Sequence, residues 1–235
     1  NKLFADAANE TNAAAIQAEN DVEQGTEGSK SAPQITITPF DAETWPKTVV
    51  VNYGETNSLC QDGRNRRGIL NFETTGWHHV EGSVITLTFD NYFQNDYKVE
   101  GTQVITNLGR NEDNNMSYSV EITEGVVTSP DEKVINYEES TIREWITGED
   151  TPFDPCDDIW LVEGNQNGVS SDQIAYSLEV IQKLRVQVCC KWITQGILNV
   201  DMEGLPILSI DYGDGECNST AVVTILGAEF PIVME

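Results

Sequence analysis

Positive charge is scarce in this sequence: 13 Lys and Arg stand against 39 Asp and Glu, leaving a formal charge of -26 and a pI near 4.1. Such a field repels phosphate backbones and anionic headgroups, which argues against nucleic-acid binding and against membrane binding through a basic patch. Histidine is nearly missing as well. The two copies, His78 and His79, sit side by side in "GWHHVEG", and in a strand they point to opposite faces. A His-rich catalytic zinc centre is therefore excluded, and a Ser or Cys hydrolase would have at most one histidine to work with. Neither a G-x-S-x-G elbow nor a phosphate-cradling glycine loop is present to redirect the search. Long apolar runs are missing too. The longest, such as "TAVVTILGA", are strand-sized, far short of the roughly 18 residues of a transmembrane helix.

The chain opens at Asn1 with no basic n-region followed by an apolar h-region, so it reads as processed or trimmed. A signal peptide or a lipid-anchoring cysteine would lie upstream of it. The five cysteines, Cys60, Cys156, Cys189, Cys190 and Cys217, include no C-x-x-C pair. An odd count without that spacing argues against structural zinc and against a scaffold in which every cysteine is bridged. Placed in a strand, Cys189 and Cys190 point apart, and the expectation is buried free thiols with room for one bridge.

What is present divides in two. Residues 1–34 hold an alanine-rich stretch with a weak apolar set (Leu3, Phe4, Ala7, Ala14, Ala15, Ile16, Val22) and then "GTEGSKSAP". This predicts a short N-terminal helical or disordered leader followed by a flexible linker. Residues 35–235 change to β-branched runs, period-two alternation and Gly, Asn or Asp punctuation about every ten residues. That pattern predicts a single all-β domain, an antiparallel meander of many short strands forming a large sandwich or an extended twisted sheet. In "SVITLTF", Ile85, Leu87 and Phe89 face one way while Val84, Thr86 and Thr88 face the other, so one side of the sheet is wet. The stretch "SSDQIAYSLEVIQKL" is helical by period, but its β-rich neighbours favour a strand pair, and "LRVQVCCKWI" reads as a strand.

One hairpin design occurs twice. "VNYG" before Cys60 and "IDYGDG" before Cys217 each carry an apolar alternation into Asn or Asp, Tyr and Gly, ahead of a cysteine and a second strand. Asp211, Asp214 and Glu216 in the second copy invite a calcium reading, because hard cations take clustered carboxylates. The first copy offers Asn52, Glu55 and Ser58 instead, and the turn is too short for a twelve-residue calcium loop. Turn formation is the primary reading and calcium the secondary one. The same ordering holds for Asp154, Asp157 and Asp158 in the acidic loop "GEDTPFDPCDD". For sugar stacking, Trp77 and Tyr92 lie near turns and are the candidates, whereas Trp145, Trp160 and Trp192 lie within apolar strands and read as core. Two carboxylates suffice for a glycosidase, and an acidic chain cannot lack pairs.

The blocks "SVITLTFDNYFQNDYKVEGTQVITNLG", "IREWITGEDTPFDPCDDIWLVEGNQNGV", "CCKWITQGILNV" and "IDYGDGECNSTAVVTI", with the front block from Lys47, resemble an uncharacterised family of secreted or lipoprotein-like proteins from Bacteroidetes. The resemblance runs from Lys47 to the C-terminus and implies an exported, envelope-associated all-β protein with no activity or catalytic residues to carry over. The expected function is a non-enzymatic exported protein that binds a carbohydrate or a surface protein through a polar sheet face or its loops, in the periplasm, on the outer membrane or outside the cell. The alternatives are a structural or adhesive surface element and, behind it, a carboxylate-based glycoside hydrolase.

Overall fold

The computed structural model describes residues 33–60, 63–151 and 155–234, together with Leu3, Phe4, Ala7, Glu10, Ala13, Ala14 and Gln17. The chain is all-β. Among the described residues thirteen antiparallel strands follow one another in a single meander: β1 Gln34–Thr38, β2 Lys47–Leu59, β3 Asn65–Thr74, β4 Val84–Gln94, β5 Tyr97–Arg110, β6 Met116–Thr128, β7 Val134–Thr147, β8 Ile159–Val169, β9 Ala175–Gln187, β10 Ile193–Met202, β11 Leu208–Asp214, β12 Thr220–Ile225 and β13 Ala228–Val233. A meander needs only short connections, and two of them are two-residue turns. Asn95 and Asp96 (φ 48° and 66°) join β4 to β5, and Leu226 and Gly227 (φ 50° and 83°) join β12 to β13. Positive φ at both central residues is the geometry whose twist matches that of the flanking strands.

Two local readings of the sequence are corrected. "SSDQIAYSLEVIQKL" contributes one long strand, β9, rather than a strand pair. The following Val188–Trp192 forms the turn into β10, not strand.

The chain divides into two compact units: Asn1–Asn107 with Glu121–Tyr137, and Leu108–Val120 with Glu138–Glu235. In the first unit the alternation of β4 is realised as the sequence predicts: Ile85 and Leu87 are buried and Thr88 is exposed. Val49 and Val51 of β2, Leu70 and Phe72 of β3, and Ile105 of β5 are buried in the same ladder, and Val99 of β5 is buried as well. The seven described residues of the N-terminal segment take helical conformation, and Phe4, Ala7 and Ala14 are buried. The Phe4 ring stacks on Tyr137 at 5.4 Å and meets Phe89 edge-on at 5.6 Å. Gly125 makes room for it, since a Cβ there would lie 3.2 Å from Phe4 Cζ and 2.4 Å from the Tyr137 carbonyl oxygen.

Next to this aromatic contact sits a buried charge. Arg66 is wholly inaccessible, its Nη2 lies 3.3 Å from Glu10 Oε1, and its Nε donates to the Tyr92 hydroxyl at 3.2 Å. Tyr53 donates to Glu10 Oε2 at 2.8 Å. Burial, with the Glu10 charge adding to it, pushes the Tyr53 phenol far above its ordinary range. The helical segment thus brings the carboxylate that a buried guanidinium requires.

The second unit is stapled by two disulfides, Cys156–Cys189 and Cys190–Cys217, leaving Cys60 of the first unit as the free cysteine. This overturns the expectation of mostly free thiols. Cys189 and Cys190 lie in the β9–β10 turn, so the strand argument that separated them does not apply, and each reaches a different neighbouring connection.

Candidate functional site

The two sugar-stacking candidates of the first unit are engaged in internal contacts. Tyr92 is fully buried, and its hydroxyl donates to Gln94 Oε1 at 3.3 Å. Its ring therefore offers no platform to an external ligand, because the β4 bulge between Thr88 and Phe93 turns it inward. Trp77 is half-buried and packs edge-on against Trp45 at 4.7 Å. Both indoles flank the buried ammonium of Lys47, whose Nζ lies 4.9 Å and 5.9 Å from the two rings and donates to the Pro39 and Asp41 carbonyls. This cluster pins the connection between β1 and β2. His78 beside it is held neutral: burial, with the His79 charge adding to it, lowers its pKa to about 4.

The second unit presents a different aromatic. Trp145, near the end of β7, lines a cavity of about 460 Å³ together with Arg110, Asn115, Ile146, Thr147, Glu149 and Asp150. Trp145 and Trp160 are half-buried rather than core. Their rings stack at 5.1 Å with 14° between planes, and Tyr118 lies 6.0 Å beyond Trp160. Burial, with the Glu149 charge adding to it, pushes the Tyr118 phenol up to about 12.

The indole is held from below by the acidic loop. Trp145 Nε1 donates to Asp158 Oδ1 at 3.0 Å. Asp158 in turn crowds the backbone at Gly148 (φ 102°), where a Cβ would sit 2.1 Å from that same oxygen. Only glycine fits there. The Cys156–Cys189 bridge and a 3.1 Å bond from Val188 N to the Asp158 carbonyl tie this stretch to the β9–β10 turn.

The polar wall has its own support. Arg110 forms a two-pronged pair with Glu149, Nη1 to Oε2 at 2.9 Å and Nη2 to Oε1 at 2.5 Å, and Arg110 Nη1 also donates to the Asn114 carbonyl at 2.8 Å. Asn115 Nδ2 and Asn111 Nδ2 both donate to Glu144 Oε1, at 2.9 Å and 2.7 Å, while Lys183 Nζ donates to Glu144 Oε2 at 3.0 Å. These neighbours, the asparagine amides foremost, hold the Glu144 carboxyl below its usual range. The cavity therefore offers an indole beside a guanidinium–carboxylate pair held in place by its own two-pronged contact, with Asp150 exposed at its edge. The sequence carried a usable signal for this site, since Trp145 lies three residues ahead of Gly148. The nearness to a turn that singled out Trp77 applies to it equally.

The acidic candidates act locally. Asp211 Oδ1 accepts from Gly213 N at 2.9 Å, and Asn52 Oδ1 accepts from Gly54 N at 2.8 Å. The two hairpins share one cap, with an acid in one copy and an amide in the other. Asp214 and Glu216 are exposed, Asp157 Oδ2 accepts from Thr151 Oγ1 at 2.6 Å, and Asp154 lies outside the described residues. Among the described residues no three His, Cys, Asp or Glu side chains converge as a metal site would require.

A concavity of about 490 Å³ also opens on the polar face of the first unit, where the ladders break at Gly54, Gly68 and Asn91 and Arg67 lies 3.8 Å over the Phe93 ring. Arg67 is already committed there to Asp96 and Asn57. No helix among the described residues is long and apolar enough to cross a membrane. Set against protein-family models, curated proteins and solved structures, the chain matches none, and the resemblance to the Bacteroidetes family gains no support from them.

Proposed function

We propose that this is a non-enzymatic, exported β-protein that binds a neutral carbohydrate in the Trp145 cavity. The observation that carries the reading is a half-exposed indole lining a cavity with hydrogen-bonding side chains around it. An aromatic face takes the C–H surface of a sugar ring, while carboxylates accept from its hydroxyls and a guanidinium donates to them. The charge of -26 supports an uncharged ligand over an acidic one. Export is supported by the two disulfides, which persist in oxidising compartments.

Calorimetric titration of the chain with a panel of neutral oligosaccharides, alongside Trp145→Ala, tests the proposal. Binding by the wild type that falls at least about tenfold in the variant, with unchanged circular dichroism, supports it. Equal binding by both proteins, or none to any member of the panel, sinks it. A released reducing sugar would instead favour the hydrolase.

A further inference from the structure

The acceptor that orients the Trp145 indole sits at the end of a ladder. Trp145 Nε1 donates to Asp158, and Asp158 immediately precedes the first rung of the β8–β9 pairing, Ile159 opposite Gln187. Terminal rungs open at little cost in free energy, because few contacts hold them. A crosslink spans this end. Cys156, in the single helical turn Pro155–Asp157, is bridged to Cys189, two residues beyond the end of β9. The same turn supports the cavity rim: Thr151 Oγ1 donates to Asp157 Oδ2 at 2.6 Å, and Thr151 N donates to the Gly148 carbonyl at 3.0 Å. The bridge therefore pins both the acceptor of the indole and the stretch from Gly148 to Asp150 that lines the cavity.

Both half-cystines of this bridge are exposed, whereas Cys190 of the other bridge is half-buried. Thiol–disulfide exchange requires a thiolate to reach a bridge sulfur, so a dithiol opens Cys156–Cys189 first. The Cys190–Cys217 bridge then still ties the β9–β10 turn to the connection between β11 and β12. Opening the first bridge thus acts on the cavity and leaves the second unit stapled.

We infer that the Cys156–Cys189 bridge is a redox latch on the Trp145 cavity: oxidised, it holds the indole and rim ready for ligand, and its reduction by a dithiol frees them and weakens binding. The inference rests on the carbohydrate reading for the identity of the ligand, and on the contacts above for the coupling. In the reaction, one thiolate of the dithiol attacks a bridge sulfur, forming a mixed disulfide and expelling the other cysteine, which takes up a proton. The second thiol of the dithiol, deprotonated, displaces the remaining cysteine and closes a cyclic disulfide. Two electrons and two protons pass from the dithiol to the two cysteines. A site ordered in advance binds more tightly because less ordering remains to be done on binding. The coupling is reciprocal, so bound sugar makes the bridge harder to reduce.

The test is nuclear magnetic resonance of the whole chain labelled with nitrogen-15, reading the indole N–H of Trp145, identified by its loss in Trp145→Phe. Spectra and oligosaccharide titrations are compared for the oxidised chain, for the chain briefly exposed to dithiothreitol, and for the double variants Cys156→Ser/Cys189→Ser and Cys190→Ser/Cys217→Ser. Mass spectrometry after alkylation shows which bridge has opened. Opening Cys156–Cys189 by either route should make the Trp145 N–H exchange with water at least about tenfold faster, leave Trp45 and Trp77 unmoved, and lower sugar affinity about threefold or more. Loss of Cys190–Cys217 should leave the Trp145 signal in place. If the first double variant does not fold, the briefly reduced wild type carries the comparison. A Trp145 signal that ignores the opened bridge overturns the inference, as does an equal response to the two bridges, a dithiol that opens Cys190–Cys217 first, or unchanged affinity beside a displaced indole. Absence of sugar binding in every form sinks the carbohydrate reading instead, and the indole signal still decides the coupling.

Discussion

Replacing Glu144 tests the polar support of the Trp145 cavity, because one carboxylate there serves three partners. Its side chain is 6% exposed, Oε1 accepts from Asn111 and Asn115, and Oε2 accepts from Lys183, whose side chain is 44% exposed. A hydrogen bond to a charged group contributes about 1.5 to 3 kcal/mol, and the lower figure suits donors that regain water when the acceptor is lost. The two asparagine bonds then contribute about 3 kcal/mol, and the hydrated Lys183 pair adds about 0.5 kcal/mol or less. Glu144→Ala should therefore cost about 3 kcal/mol, which at about 2 to 4 °C per kcal/mol lowers the unfolding midpoint by roughly 6 to 12 °C. Glu144→Gln keeps an acceptor and loses the charge, and should cost about 1 kcal/mol. The pH dependence gives a sharper signature. Because the folded-state pKa lies below the ordinary value of 4.5, the carboxylate's contribution is complete above that value and is lost as pH falls through the folded pKa. Urea midpoints of wild type and Glu144→Gln should thus differ at neutral pH and converge as pH is lowered toward about 3. A gap of the same size at both ends, or an alanine variant within about 1 °C of wild type, would refute the reasoning.

Glu10→Ala removes the helical segment's carboxylate from the wholly buried Arg66 and should cost about 3 kcal/mol, with faster amide exchange around Phe4 and Ala7. Adding Arg66→Met should recover part of that loss, and strictly additive losses would show that the pair is not coupled. The disulfides close separations of 33 and 27 residues, for which chain entropy gives about 3.5 kcal/mol each. Mild reduction should accelerate amide exchange around β9 to β12 while leaving β2 to β4 protected. Equal loosening of both regions would contradict the assignment of both bridges to the second unit.

Local chemistry determined the strands, their alternation and their turns, because period two, β-branching and the torsions of Asn, Asp and Gly are properties of neighbours in the chain. Ile85 and Leu87 point inward as their spacing requires, and the twin caps at Asn52 and Asp211 repeat because the same Asx-Tyr-Gly stretch makes the same bond twice. Partnership over distance was not legible. Cys189 and Cys190 separate onto two bridges because they occupy a turn, a one-residue matter of where β9 ends. Tyr92 lies near a turn in the sequence, yet a bulge in β4 rotates it into a buried network with Arg66. Trp145 lies in an apolar strand yet close to the Gly148 turn, and it is left half-buried, because what covers a side chain is decided by strands far off in sequence. Val180, Leu198, Ile210 and Val223 follow the same rule: their alternation is written in the sequence, but only the cross-strand register joins them into one row.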